Sequence, residues 1–240
     1  MPPLLAENHL VVALYAAGYA TGIAAFAWMA RRRRLSTTGV WLLSFAALLG
    51  GLIGANLGQW IGSGGTAAGK TILGGIAGGY LAVFLAKRAL GLRRPTGDLF
   101  AVALSAGEAV GRWGCFVGGC CHGKIGAVPW AIFQHGALRH PTQAYLSLAA
   151  LLTLALLLWL EGRRVLRENG LFYVQGVLVC VLRFVIEFYR EGNHTAMGLT
   201  TAQWVCLAGA TVFGTLLSRL LRDPGARTGR EGMVSYAALR

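Results

Sequence analysis

Seven stretches of this chain are apolar over lengths that suit a membrane-crossing helix, and this limits the fold more than any other feature. They run over about 10–30, 39–61, 70–86, 98–118, 141–160, 170–189 and 199–218. About twenty residues of α-helix cross roughly 30 Å of hydrocarbon. Lipid offers no partner to a bare N–H or C=O, so only helices and closed barrels span it. Composition agrees: 55% of the 240 residues are hydrophobic and 13% are charged, whereas a soluble domain carries roughly a quarter charged residues. The expectation is an all-α, polytopic membrane bundle over residues 1–222. A mobile tail over 223–240, containing Gly, Arg and Pro, follows it.

Net charge is +13, a value that also suits a nucleic-acid binder. Its placement says otherwise. Of 22 Lys and Arg, 16 follow the first, third, fifth and seventh stretches: Arg31 to Arg34, Lys87, Arg88, Arg93, Arg94, Arg163, Arg164, Arg167, Arg219, Arg222, Arg227, Arg230 and Arg240. The opposite side receives Lys70, Lys124, Arg139 and Arg190. Positive loops stay cytoplasmic, so seven spans put the N-terminus outside and the C-terminus inside. Nucleic acid is set aside as a partner, and the basic face is left to anionic lipid headgroups. The first stretch is read as a retained helix, because a signal peptide carries its positive charge ahead of the apolar run and here Arg31 to Arg34 come after it.

Glycines recur four apart in the second stretch (Gly50, Gly54, Gly58, Gly62) and cluster in the third (Gly74, Gly75, Gly78, Gly79). Such rows let a neighbouring helix approach closely; the alternative is room for a lipid. Between about 119 and 140 lies the longest outward segment, whose Trp130 and Phe133 suit an interfacial aromatic belt.

Ionisable groups at membrane depth cost about 2.5–3.5 kcal/mol each on insertion scales and tend to be functional. Two matched pairs occur here: Glu108 with Arg112, and Arg183 with Glu187. Residues four apart share a helix face, so each pair can travel as a neutral unit. Guanidinium groups also fork onto phosphate oxygens, and Arg190 can extend such a site outward. The run Gly111-Arg112-Trp113-Gly114-Cys115-Phe116-Val117-Gly118-Gly119-Cys120-Cys121-His122-Gly123 ends a helix among glycines, which points to a cavity. Pro141 in Arg139-His140-Pro141-Thr142-Gln143-Ala144-Tyr145 suits the first turn of a helix, with Gln143 and Tyr145 entering the membrane behind it. The five cysteines match no known zinc spacing. For Cys115, Cys120 and Cys121, with His122, three readings stand: small apolar packing, redox or nucleophilic work, and a soft-metal site. Cys180 and Cys206 read as packing.

These stretches resemble the prolipoprotein diacylglyceryl transferase family. Gly111, Arg112, Gly114, Phe116, Val117 and Gly123 fit its Gly-Arg signature. Arg139 to Tyr145 is similar to its Arg-His-Pro-Ser-Gln-x-Tyr segment, Arg183 to Arg190 to its Arg-Phe-x-x-Glu-Phe-Phe-Arg, and Leu199 to Trp204 to its Leu-Ser-x-Gly-Gln. The departures are that Cys115 and Cys120 stand where the family has Asn and Glu, Gly118 where it has a second Asn, and Leu73 where it has His. The resemblance implies a seven-span bacterial inner-membrane enzyme. It would move a diacylglyceryl group from phosphatidylglycerol to a lipoprotein-precursor cysteine or another thiol acceptor, without a cofactor or metal. Arg112 and Arg183 would hold the phosphate and Glu108 and Glu187 would orient them. His140, Gln143 and Tyr145 would shape the headgroup site, and Arg190, Cys115, Cys120 and His122 would lie against substrate. The base is left among Glu108, Glu187, His122 and His140. Two other readings use the same residues: a non-catalytic lipid-binding or transport protein, and a cysteine-based redox or metal membrane protein.

Overall fold

A computed structural model of the chain describes residues 4–35, 37–62, 72–92, 94–192 and 196–222. Its elements are α1 (Leu4–Arg32), α2 (Thr38–Gly62), α3 (Ile72–Ala89), α4 (Gly97–Val117), β1 (Ile132–Gln134), β2 (Ala137–Arg139), α5 (Thr142–Arg163), α6 (Gly170–Glu187) and α7 (Thr201–Arg222), with a 3-10 turn over Ala196–Gly198. Each apolar stretch thus coincides with one long helix. Five of them, α1, α2, α5, α6 and α7, are long and apolar enough to cross a membrane. By contrast, α4 carries Asp98, Glu108 and Arg112. The tail over 223–240 and the side chain of Leu73 lie outside what is described. Large apolar side chains such as Phe45, Ile53, Ile76, Leu152 and Val212 are exposed. So broad an apolar exterior belongs in hydrocarbon rather than water.

The chain divides into two compact units, residues 30–95 and residues 1–29 with 96–240. In the smaller unit α2 and α3 pack backbone to backbone. A Cβ on Gly54 would meet the Gly74 carbonyl and come within 2.8 Å of Gly78 Cα, and one on Gly50 would run into Ala82 and the Gly78 carbonyl. The packing use of these glycines is therefore realised at Gly50, Gly54 and Gly78. Between apolar helices in lipid no hydrophobic force drives association, so close contact of small residues takes its place.

The larger unit is fastened by polar groups. Asp98, in the first turn of α4, accepts the Asn169 and Phe172 backbone N–H groups at 3.0 Å each, and Asn169 Oδ1 accepts the Gly97 N–H at 3.1 Å. The N-terminal ends of α4 and α6 thereby satisfy each other's free donors. Midway along, buried Ser147 of α5 donates to the Ala109 carbonyl of α4 at 2.6 Å. At the start of α7, Thr200 and Gln203 form a capping box: the Gln203 N–H donates to Thr200 Oγ1 at 3.2 Å and the Thr200 N–H to Gln203 Oε1 at 2.9 Å. Helix α1 lies close on α4, where a Cβ on Gly18 would come within 2.9 Å of Gly111 Cα.

Between α4 and α5 the segment expected as an outward loop forms a hairpin of β1 and β2, paired from Ile132↔Arg139 to Gln134↔Ala137. Its two turn residues, His135 and Gly136, both have positive φ, the backbone that a tight two-residue hairpin needs. Beside β2 runs the strand-like stretch 122–126. Gly123 and Ile125 bridge Arg190 and Arg139 respectively. A Cβ on Gly123 would collide with the His140 carbonyl and approach the Tyr189 carbonyl to 2.8 Å.

Candidate functional site

The C-terminal ends of α4 and α6 and the N-terminal ends of α5 and α7 meet at one end of the larger unit, and most of the singled-out side chains gather there. On α4, Arg112 Nε donates to Glu108 Oε1 at 2.9 Å and Arg112 Nη2 engages the same oxygen. On α6, Arg183 Nη2 lies 2.8 Å from Glu187 Oε2, and Arg190 Nη1 approaches that oxygen at 3.6 Å. Glu187 is 5% exposed, and Thr200 Oγ1 donates to its other oxygen at 3.4 Å. The capping box of α7 is therefore also a brace for the α6 carboxylate.

The two pairs belong to one electrostatic cluster. Arg183 lies within range of both Arg190 and Arg112, so three guanidinium groups share Glu108 and Glu187. Among the described residues, Arg190 Nε is buried without a hydrogen-bond partner, as is Gln143 Oε1. Buried groups of this kind are rare in folded proteins and call for a ligand or water. An anion is the ligand that guanidinium donors accept.

Within electrostatic range of Arg112 and Arg190 lies a group of thiols. The Sγ atoms of Cys115, Cys120 and Cys121 are all within 4.8 Å of one another, the group among the described residues suited to holding a metal ion. Tyr15, on α1, brings its hydroxyl to 3.2 Å from Cys115 Sγ, and Gly114 leaves room for the Tyr15 ring. Past the end of α4, the Cys121 thiol ionises more readily than an ordinary thiol. The hydrogen bond from Cys115 is the main cause, partial burial opposes it, and Arg190, the Cys120 hydrogen bond and Arg112 add to the lowering.

The roof of the site is the hairpin segment. Gln143, 1% exposed, donates through Nε2 to the Cys120 carbonyl at 2.7 Å and lies 3.4 Å from Gln134 Oε1. Gln134 in turn donates to the Phe116 carbonyl at 3.0 Å, and Thr142 to the Cys121 carbonyl at 2.7 Å. The backbone released where α4 ends is thus taken up by side chains from β1 and α5. Tyr145 accepts from Trp130 Nε1 at 2.6 Å and lies 3.2 Å from His140 Nδ1, while the His140 ring packs on Tyr189 at 5.2 Å.

Not every expected residue joins the arginines. His122 turns to a separate knot: its Nδ1 lies 3.0 Å from Glu191 Oε2 and its ring 4.5 Å from that of His135. Arg139, counted from sequence among the cations of the outward side, is buried. It donates to Glu191 Oε2 at 2.5 Å and to the Gly123 and Gln134 carbonyls at 3.1 Å each. Trp130 and Phe133 are exposed, as interfacial aromatics would be. Sequence reasoning missed Tyr15, Gln134 and Glu191. No local pattern marks the first two, since their partners lie 100 and 18 positions away.

Residues 3–218 match the family model described as prolipoprotein diacylglyceryl transferase. The chain belongs to this family. Among curated relatives, the phosphatidylglycerol–prolipoprotein diacylglyceryl transferase of Nitratidesulfovibrio vulgaris is 36% identical over 173 residues, 67% of this chain and 63% of that protein. The transferase of the same name from Verminephrobacter eiseniae is 36% identical over 151 residues, 56% of this chain and 54% of its own length. A third, numbered 1 in Streptomyces coelicolor, is 28% identical over 179 residues, 71% of this chain and 51% of its own. The chain thus spans between about half and just under two thirds of these relatives' length. Family membership and five apolar helices make it a multi-pass membrane protein.

Proposed function

We propose that this chain transfers a diacylglyceryl group from phosphatidylglycerol to the thiol of a lipoprotein precursor, at the outer face of a bacterial inner membrane. Its relatives carry that activity in their names. The observation that carries the reading is the sharing of two carboxylates among Arg112, Arg183 and Arg190. This leaves cationic charge and the bare Nε of Arg190 for one phosphate.

In this reading all seven helices span the membrane, with the N-terminus outside and the C-terminus, including the tail over 223–240, in the cytoplasm; the charge asymmetry of the loops supports it. The site then opens toward the outer leaflet. Arg112 and Arg183 grip the phosphate of phosphatidylglycerol, and Arg190 extends the grip. Glu108 and Glu187 hold these guanidinium groups in place. Gln143 with its free Oε1, Tyr145 and His140 border the glycerol headgroup, while Cys115, Cys120 and His122 lie along the approach of the acceptor. An apolar groove of about 330 Å³, lined by Trp28, Val102, Leu154 and Leu158 among others, suits an acyl chain.

As the acceptor thiolate attacks the glyceryl carbon, a sulfur–carbon bond forms and the carbon–oxygen bond to phosphate breaks. Glycerol phosphate departs with the electron pair. Charge grows on the phosphate in the transition state, and fixed cations there lower the barrier without reorganising. The test incubates purified protein with labelled phosphatidylglycerol and a lipobox peptide. Release of glycerol phosphate with a lipidated peptide is the expected result, lost in Arg183→Ala. Binding of the lipid without release would instead mark a lipid-binding or transport protein.

A further inference from the structure

Three thiols within 4.8 Å, at the edge of an anion site, raise the question of what activates the acceptor. Thiolate, not thiol, is the nucleophile. Among the acid–base candidates, Glu108 and Glu187 are engaged by arginines, His122 sits in the separate knot with Glu191 and His135, and His140 packs against Tyr145 and Tyr189. The cysteines offer another route. A tetrahedral zinc with Zn–S bonds of about 2.3 Å holds its sulfurs about 3.8 Å apart, so the three Sγ atoms need to close by about 1 Å at most. Three protein ligands with a vacant fourth position is the form of a catalytic rather than a structural zinc site.

We propose that Cys115, Cys120 and Cys121 bind a thiophilic d10 cation, Zn²⁺, whose fourth position takes the acceptor thiol. The inference rests on the transferase reading and supplies the activation which that reading leaves open. Soft thiolate ligands select Zn²⁺ or Cu⁺ over hard cations. Of these, Zn²⁺ favours a fourth ligand, whereas three thiolates already complete the trigonal shell of Cu⁺. Three cysteinate ligands and Zn²⁺ sum to one negative charge, and a bound acceptor thiolate makes two. Arg112 and Arg190, both within electrostatic range of Cys121, offset that charge. The Tyr15 hydroxyl, 3.2 Å from Cys115 Sγ, is placed to donate to a ligating sulfur, the outer-shell support that metal ligands generally have.

The step balances. On binding, the acceptor thiol gives its proton to water, because a coordinated thiol is deprotonated outright. Its sulfur attacks the glyceryl carbon, the carbon–oxygen bond breaks, and glycerol phosphate leaves toward Arg112 and Arg183. The product is a neutral thioether, a weaker zinc ligand than a thiolate, and so leaves the metal.

Metal analysis of the full-length protein, purified without chelator, is expected to find one zinc per chain. Cys115→Ser and Cys121→Ser should lose it and Cys180→Ser should keep it, each judged on protein that remains monodisperse. With Co²⁺ in place of zinc, sulfur-to-cobalt charge-transfer absorption should grow in the ratio of four sulfurs to three when a lipobox peptide is added. A peptide with Ser for Cys should leave it unchanged. Wild-type protein free of metal but still releasing glycerol phosphate would overturn the zinc site and leave the transferase reading standing. So would metal retained in both Cys variants, or preferential Cu⁺ with no response to the peptide thiol. Arg183→Ala should keep zinc and the cobalt response while losing transfer. Wild-type protein that binds zinc and the peptide thiol yet releases no glycerol phosphate would overturn the activation role and the transferase reading together.

Discussion

The two compact units of this chain fasten their helices by different physics. In residues 30–95, α2 and α3 touch through bare glycine backbone at Gly50, Gly54 and Gly78. In the larger unit, α4, α5, α6 and α7 are tied by Asp98, Asn169, Ser147, Thr200 and Gln203 through directional hydrogen bonds. Dispersion between small residues tolerates any chemistry that fits, but it fixes no charge in space. Directional bonds cost more to assemble, and they hold guanidinium and carboxylate groups at stated distances. The proposed site lies in the unit with the polar fastenings, and each unit should break in its own way.

The largest expected effect is on activity. Arg183→Ala removes a cation from the proposed phosphate site and should lower transfer about a hundredfold to a thousandfold, the scale of losing one transition-state donor, in an assay of lipidated peptide. Glu187→Gln keeps Arg183 but loosens its placement, with an expected loss of about tenfold carried mainly by kcat. Near-normal transfer by Arg183→Ala would break the link between polar fastening and chemistry.

In the smaller unit the corresponding break is steric. Gly54→Leu cannot be absorbed by a flexible neighbour, since the atoms it meets are the backbone of Gly74 and Gly78. A destabilisation of about 3 kcal/mol is expected, at the upper end of overpacking costs, read as a lowered midpoint for unfolding in detergent or bicelles. A variant as stable as wild type would mean that α2 and α3 separate freely.

How much of this was open to sequence reading follows from the range of each interaction. Helix pairs such as Glu108–Arg112 and Arg183–Glu187 were legible because a helix fixes the geometry of residues four apart. The glycine rows were legible for the same reason. The cluster of Arg112 with Arg183 was inferred from the cost of burying charge, and their electrostatic proximity accords with it. Contacts set by the crossing of helices were not legible: Tyr15 is one tyrosine in an apolar stretch, and nothing near it in sequence signals Cys115. The hairpin escaped because strands of three residues leave almost no periodic signal; the His135–Gly136 turn was its one local mark. The ion pair of Arg139 was not legible because its partner, Glu191, lies 52 positions away.

A smaller effect separates the ends of the larger unit from its middle. Asp98→Ala leaves the Asn169 and Phe172 N–H groups without their acceptor. About 2 kcal/mol is expected, because bonds to a charged acceptor exceed neutral ones and an N-terminal cap alone contributes about 1 kcal/mol. The readout is faster hydrogen exchange at the first turn of α6, a local change that a general loss of stability would not confine there.

The smallest effect tests whether the polar fastenings stabilise the fold or merely register it. Ser147 donates to the Ala109 carbonyl at 2.6 Å, but a carbonyl inside a helix already accepts its own i+4 N–H. Ser147→Ala therefore orphans no acceptor, removes the donor along with the bond, and leaves a side chain that fits the space. Hydrogen bonds between membrane helices average about 0.6 kcal/mol in mutational cycles, and Ser147→Ala should cost no more than that in unfolding free energy. A loss of about 2 kcal/mol or more would show that bonds of this kind hold the larger unit together. The contrast with the glycine-packed pair would then be one of strength as well as of direction.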